Sequence, residues 1–296
     1  MQVVKLIHNP KAGDEQHGKD DLIQKIEKAG FECRYASTKK NDWKGIDEDI
    51  DIVAAAGGDG TVRKVIREVL KRKMLDKPLP IGLLPLGTAN NIAKTLEINE
   101  GVKKTAESWK EARVKRVDIG MIHNIPGKTF FLESVGFGVF PYLIKEMGEL
   151  EEEFSSPEEE LKACWRKLHE IVQWYEPRNC HLEVDGTDHS GKFLLVEVMN
   201  MRSIGPNMVL SPLTDPSDGE LDVVLVPEAH KEKFTQYVLH KMNDGDDSYQ
   251  FHTLKAKNLT IKWEGTRVHV DDKMIKMEKG ITVSIEVKPG VLEFLI

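Results

Sequence analysis

The chain has only three cysteines in 296 residues, Cys33, Cys164 and Cys180. They are too widely spaced for a disulfide framework, and neither CxxC nor a Cys/His spacing that would hold zinc occurs. No run of about 18 uninterrupted apolar residues is present, so no segment is suited to cross a bilayer as a helix. Met1 opens directly into VVKLI, without the charged and then apolar texture of a secretion signal, which leads to the expectation of a soluble, cytoplasmic protein with reduced thiols. With 42 Lys and Arg against 49 Asp and Glu, the net charge is −7 and the pI about 5.9. That balance lacks the clustered cations of a nucleic-acid footprint, and no nucleic-acid partner is expected. An anionic membrane would repel the average surface. Any membrane contact is therefore expected to be transient, through a local basic patch, since no lipidation motif anchors the chain. HExxH, Walker A GK[ST] and GxGxxG are all missing. Nothing in the sequence reports the oligomeric state.

What is present divides into two textures. The length suits two domains, and 40% hydrophobic content is enough for two cores. Residues 1–118 alternate strand-like and helix-like runs: VVKLI, DLIQKIEKA, FECRYA, DIVAAA, VRKVIREVL, IGLLPL and a short helix from Asn90. This order predicts an α/β domain with a mainly parallel sheet. Residues 119–296 are dominated by alternating strands such as HLEVDG, KFLLVEVMN, LDVVLV, NLTIKW and TRVHVD, which predict a mainly antiparallel β-sandwich. The final strand, residues 287–296, is a candidate to return to the first domain. Between the two textures lies an acidic run, Glu149 to Glu160, read as a solvated loop. Leu161, Trp165, Leu168, Ile171, Val172 and Tyr175 then recur at helical spacing, either as a helix packed on its own domain or as a lid over an apolar ligand.

The most informative segment is DIVAAAGGDGTV, residues 51–62. Small apolar residues suit a strand buried on both faces, and Gly57, Gly58 and Gly60 leave the backbone open to close approach. Asp59 then stands at the carboxyl end of that strand, at the edge where open α/β sheets hold ligands and where helix N-termini favour phosphate. Two further strands end in polar, glycine-bearing turns: LIHNPKAG, with Asn9, Pro10, Lys11, Ala12 and Gly13, and IGLLPLGTANN, with Gly87, Thr88 and Asn90. Backbone N–H groups from Gly58 through Thr61 to Val62, and from Lys11 to Gly13, are candidate phosphate donors. Thr61 and Thr88 are equally suited to turn or cap roles. Asn90 either caps the next helix or orients the Asp59 turn.

Together the three turns resemble the NPxSG, GGDGT and PLGTxND motifs of the catalytic domain shared by diacylglycerol kinases, sphingosine kinases and bacterial lipid kinases. The resemblance extends to RVDIG (116–120), SVGFG (134–138) and SDGELDV (217–223), and so covers nearly the whole chain. It implies a fold like that of NAD kinase and diacylglycerol kinase, with ATP and Mg²⁺ as cofactors and transfer of the γ-phosphate to a hydroxyl of diacylglycerol or a related amphiphilic lipid. The implied nucleotide contacts are the three turns together with Thr38 and Arg63. The implied catalytic residues are Asp59, Asp118 and Asp271, and the implied Mg²⁺ ligands lie at Asp215, Asp218 and Glu220. For the last three, a plain turn entering LDVVLV is the competing reading.

The chain also departs from the family pattern. Asp271, Asp272 and Lys273 stand where the family has DGE, so a cation replaces the glutamate assigned as proton acceptor. A Lys of ordinary pKa cannot take that proton, which leaves Asp271 or Asp59 to do so. Arg63 and Lys64 follow GGDGT in place of Asn and Glu, and Ala89 and Asn91 replace the Gly and Asp of GTGND. Two alternatives stand beside the lipid kinase. One is a nucleotide-binding regulatory protein of the same fold with weak or no transfer. The other is a small-molecule kinase like NAD kinase, which shares the GGDGT turn.

Overall fold

Short runs of small apolar residues in the first third of the chain become parallel strands. In this computed structural model, which describes residues 1–12, 17–40, 43–72, 78–150, 154, 156–243, 245 and 251–296, the chain divides into two units. These are Met1–Val117 with Gly290–Ile296, and Asp118–Pro289. In the first, β1 (Val3–His8), α1 (Lys19–Lys28), β2 (Glu32–Ser37), β3 (Ile52–Gly57), α2 (Asp59–Val69) and β4 (Ile81–Pro85) alternate, and α3 (Asn91–Thr95) and α4 (Val102–Ser108) follow. β1 and β3 are buried along their whole length, as strands covered on both faces must be. The order β2–β1–β3–β4 is parallel throughout, so all four carboxyl ends reach one edge. α2 packs on β3 and buries Val62, Val65 and Ile66 at i, i+3, i+4 spacing. α1 buries Leu22 and Ile26, with Asp20 and Asp21 in its first turn and Lys25 and Lys28 in its last, matching the helix dipole.

β5 (Val114–Ile125) runs from the first unit into the second. There follow β6 (Lys128–Phe131), β7 (Ser134–Gly138), α5 (Phe140–Gly148), α6 (Pro157–Trp174), β8 (Arg178–Val184), β9 (Gly191–Met199) and β10 (Leu221–Pro227). After these come α7 (Lys231–Met242), β11 (His252–Ala256), β12 (Asn258–Trp263), β13 (Arg267–Val270), β14 (Lys273–Lys276) and β15 (Thr282–Leu295). The strands of this unit pair antiparallel in the order β14–β13–β7–β9–β8–β12–β15, and β10 joins β9 and β11. Within β15, Thr282–Glu286 pair with β12, while Phe294 lies in parallel register with Ile81 of β4.

α6 buries Trp165, Leu168, Ile171 and Val172, with Tyr175 beyond its end, in the core of its own unit, which favours the packed helix over the lid. Ser156 caps it by accepting the Glu159 N–H at 3.2 Å. Of the acidic run, Glu151, Glu152, Glu153 and Ser155 lie outside the described residues. α7 was not expected from the sequence. Its Phe234, Tyr237 and Val238 do have helical spacing, but the surrounding Lys, His and Gln mask the signal, and packing of Tyr237 edge-on to Trp165 of α6 stabilises it.

Candidate active site

In the first unit the predicted turns meet at the carboxyl edge of the sheet. The Asn9 N–H donates to the Ala56 carbonyl at 2.9 Å, the Thr38 N–H to the His8 carbonyl at 2.8 Å, and the Leu86 N–H to the Gly57 carbonyl at 3.2 Å. The tightest contact is backbone on backbone. A Cβ on Gly87 would collide with the Cα of Gly58, and one on Gly58 would lie 3.2 Å from the Cα of Gly87. Gly57 is equally constrained, because a Cβ there would collide with the Thr61 hydroxyl. Gly60 is different: it is exposed, and its Cβ would find only the Arg63 guanidinium, 3.7 Å away.

Asp59 joins two of the turns. Its Oδ2 accepts the Asn91 N–H and its Oδ1 the Ile92 N–H, both at 3.0 Å, so it caps α3 from a different helix. Asn90 occupies the N-cap position at φ 52° but caps nothing. Its Oδ1 accepts the Gly87 N–H at 3.0 Å and its Nδ2 donates to the Gly87 carbonyl at 2.6 Å, closing the turn that presses on Gly58.

The candidate phosphate donors fare unequally. Thr61 and Val62 donate their N–H groups to the Gly58 carbonyl at 2.8 and 3.2 Å, and their side chains are buried. Helix geometry leaves the N–H groups of Asp59 and Gly60 without an intrahelical acceptor, and these point out of the helix start. In the first turn the Lys11 N–H donates to Asn9 Oδ1 at 3.3 Å and the Ala12 N–H to the Asn9 carbonyl at 3.0 Å, so both are used within the turn. Thr38 Oγ1 lies 3.5 Å from Asn9 Oδ1. Lys11 and Thr88 are exposed, Pro10 and Arg63 half-buried, and Gly13 falls outside the described residues.

The second unit holds the other predicted acids. Asp118, 1% exposed, accepts the Gly219 N–H on Oδ2 at 2.8 Å and donates its own N–H to the Pro216 carbonyl at 2.7 Å. Asp271, at φ 51° in the turn between β13 and β14, accepts the Leu132 and Glu133 N–H groups on Oδ1 at 3.1 and 2.9 Å. The buried Asn200 links these two regions, its Nδ2 donating to the Asp118 and Leu132 carbonyls at 2.9 and 3.0 Å. Lys273 is exposed.

Residues 3–122 match the family model of the diacylglycerol kinase catalytic domain, and residues 147–296 that of the YegS C-terminal NAD kinase β-sandwich-like domain. The chain belongs to the diacylglycerol kinase family of lipid kinases. It is 26% identical over 291 residues to the diacylglycerol kinase of Bacillus subtilis strain 168, covering 93% of this chain and 88% of that one. The crystal structure of a diacylglycerol kinase from Bacillus anthracis strain Sterne superposes with a TM-score of 0.69 at 22% identity, covering 99% of this chain and 96% of that one. An NAD kinase from Archaeoglobus fulgidus, in complex with ATP, superposes with a TM-score of 0.52 at 14% identity over 99% and 94% of the two chains, a likeness of fold alone. As a member of this family the lipid kinase is a phosphotransferase with an alcohol group as acceptor.

The carboxylates implied as Mg²⁺ ligands at Asp215 and Asp218 accept hydrogen bonds within their own turn, and Asp218 also pairs with Lys255. Asp215 Oδ1 accepts from the Ser217 N–H at 3.1 Å and the Ser217 hydroxyl at 2.6 Å, and Asp218 Oδ1 accepts the Glu220 N–H at 2.9 Å. Lys255 Nζ sits 2.7 Å from Asp218 Oδ2 and 3.0 Å from Asp222 Oδ2, so a cation already serves this turn. Burial alone would lower the Lys255 pKa, but its bonds to Asp218 and Asp222 raise it. Among the described residues no three His, Cys, Asp or Glu side chains converge on a metal position. Sequence reasoning missed Lys255, Asn200, Glu197 and His269. The available signal was a charged or polar residue at an inward position of an apolar strand, as Glu197 in KFLLVEVM and His269 in VHV.

Proposed function

We propose that this chain is an ATP-dependent lipid kinase, passing the γ-phosphate of ATP, presented as its Mg²⁺ complex, to a hydroxyl of diacylglycerol or a related lipid. The observation that carries this reading is the junction of Gly58 with Gly87, locked by Asp59. It fixes the start of α2 so that exposed Gly60 and the N–H groups of Asp59 and Gly60 face outward, where phosphate oxygens can be received. Lys11, Thr38, Arg63 and Thr88 border the same sheet edge and supply charge and hydroxyl contacts to the nucleotide. Asp59 has both oxygens engaged by α3 and would hold Mg²⁺ through its remaining lone pairs, offsetting the charge of the nucleotide phosphates.

Asp271 is the better candidate to receive the acceptor's proton. It lies two residues before Lys273, which stands where the family has its glutamate. Asp118 and Asn200 hold the neighbouring turns in place. The ATP bound by the fold relative from Archaeoglobus fulgidus and the names of the sequence relatives support this reading.

The test is transfer of labelled γ-phosphate by purified protein with Mg²⁺ to a mixed lipid extract, with NAD as a parallel acceptor. Label in a lipid product is expected. Label in NAD alone would transfer the assignment to a small-molecule kinase, and ATP binding without transfer to either would leave a nucleotide-binding regulatory protein.

A further inference from the structure

The second unit holds a titratable pair that phosphoryl transfer as described leaves unused. Glu197 of β9 and His269 of β13 are both 0% exposed, with His269 Nε2 2.9 Å from Glu197 Oε2. Their strands are not neighbours: β7 lies between them, and Gly136 is the register partner of both residues. A Cβ at Gly136 would collide with the Glu197 carboxylate and approach His269 Nε2 to 2.5 Å. Glycine at this one position lets the two side chains meet across the intervening strand.

The proton count follows from the hydrogen bonds. His269 Nδ1 lies 2.9 Å from the Asp271 carbonyl oxygen, which can only accept, so Nδ1 carries a proton. Contact between Nε2 and Glu197 then requires one further proton, on the nitrogen or on the carboxyl. Without it a ring lone pair would face a buried carboxylate. Among the described residues Glu197 Oε1 is buried with no hydrogen-bond partner, so loss of the proton would leave a buried carboxylate with an unsatisfied oxygen.

The remaining neighbours are mostly apolar. Val224 of β10 pairs with Glu197, Met274 of β14 pairs with His269, and Phe140 of α5 stands edge-on to the ring at 6.4 Å. Of the titratable groups on these elements, Lys273 and Lys276 of β14 are exposed, while Tyr142, Lys145 and Glu146 of α5 are half-buried. On β9 and β10, Lys192 pairs with Glu228 and Asp222 with Lys255. β7 brings none.

We infer that His269 and Glu197 are positioning residues for the Asp271 turn, and that the single proton they share holds that turn in its working conformation. The turn is demanding: Asp271 lies at φ 51°, its N–H donates to the Ser134 carbonyl at 2.8 Å, and its carboxylate must reach the Leu132 and Glu133 N–H groups. The grip of His269 on the Asp271 carbonyl fixes the peptide from which that carboxylate projects. This inference rests on the acceptor-side role proposed for Asp271.

The decisive comparison is Glu197→Gln against the unsubstituted protein, following kcat on diacylglycerol in mixed micelles, KM for ATP and Tm across pH. A Gln amide can donate to a neutral Nε2, so the contact survives without a shared proton. For the unsubstituted protein, Tm is expected to fall as pH rises above the ordinary His value of about 6.5, where the unfolded chain gives up its proton, and kcat to fall at higher pH, as the shared proton is lost from the folded pair. E197Q should lose that alkaline fall in both quantities, with KM for ATP unchanged. The same alkaline fall in E197Q would overturn the inference, as would a fall in Tm with none in kcat, which would assign the pair to stability alone. Should E197Q fail to fold, ¹⁵N-histidine NMR of the unsubstituted protein decides: His269 titrating at or below an ordinary His overturns the shared proton. Tm and NMR need no turnover, so a protein that transfers no phosphate would sink the kinase reading while the pair's titration was still read.

Discussion

At Asp59 and Asp271 the same substitution, Asp to Asn, has opposite structural consequences. Asp59 uses both oxygens to accept N–H groups of α3, so Asp59→Asn sets an amide donor against a backbone donor. That mismatch should cost about 1–3 kcal/mol and lower Tm along with turnover, so D59N alone cannot tell a catalytic role from a structural one. Asp271 accepts the Leu132 and Glu133 N–H groups on Oδ1, as an Asn Oδ1 also can, and Asn is among the residues that best tolerate its φ of 51°. Asp271→Asn should therefore keep both backbone bonds and lose roughly 10²–10⁴ in kcat if Asp271 receives the acceptor's proton. An unchanged kcat in D271N would remove it from that role. The glycines separate in the same way. Gly60→Ala adds a methyl to an exposed helix position with no close neighbour, so Tm should hold or rise, the helix gaining about 0.5–1 kcal/mol, while KM for ATP increases. Gly87→Ala drives a Cβ into Gly58 and should destabilise by about 1–3 kcal/mol or more. A rise in KM for G60A without loss of Tm would place the nucleotide phosphates at the start of α2.

Among the elements, the turn between Asp215 and β10 shows a cation from the chain itself holding acidic residues together. Lys255 of β11 is directly opposite Asp222 in register and reaches Asp218 as well. Asp222 is nearly buried, its side chain 5% exposed, so Lys255→Met leaves it without its cation and should lower Tm, with a loss of about 1–3 kcal/mol. Chelation of divalent ions should leave the Tm of the unsubstituted protein unchanged, whereas added Mg²⁺ should recover part of the loss in K255M. A Tm that drops on chelation in the unsubstituted protein would return the metal to this turn. Such cross-element contacts mark the limit of what the sequence reveals. Strand ends and glycine turns are legible because an apolar run ending in GGDG or LGT is a local pattern. That Gly87 must be glycine is not, because the atom it would strike belongs to Gly58. That Asp59 caps α3, that Lys255 neutralises Asp218 and that His269 meets Glu197 are likewise set by chain pairings that local periodicity does not encode. Periodicity located α6 through its Trp and Leu stripe, and it missed α7, whose three buried residues are diluted among polar ones.

For the whole molecule, two buried histidines give the two units opposite responses to pH. His8 ends β1 in the first unit, 3% exposed and 3.1 Å from the Tyr35 hydroxyl. Burial, followed by the positive charges of His17 and Lys39, lowers its pKa. The unfolded chain therefore binds a proton at His8 more readily than the folded one. This costs the first unit stability as pH falls below the ordinary value of about 6.5. His269 in the second unit is shifted the other way: burial alone would lower its pKa, but the charge and hydrogen bond of Glu197 outweigh it. Its contribution is fully present below about pH 6.5 and is lost as pH rises through the raised folded value. Hydrogen exchange resolved by peptide should therefore diverge. Mild acid should increase exchange first in β1 and its neighbours β2 and β3, and mild alkali first in β13, β7 and β9. The acid effect should disappear in His8→Gln and the alkaline effect in Glu197→Gln, each leaving the other unit's response in place. Parallel loss of protection in both units at the same pH would show that the histidines do not set these limits and that a charge common to the whole chain does.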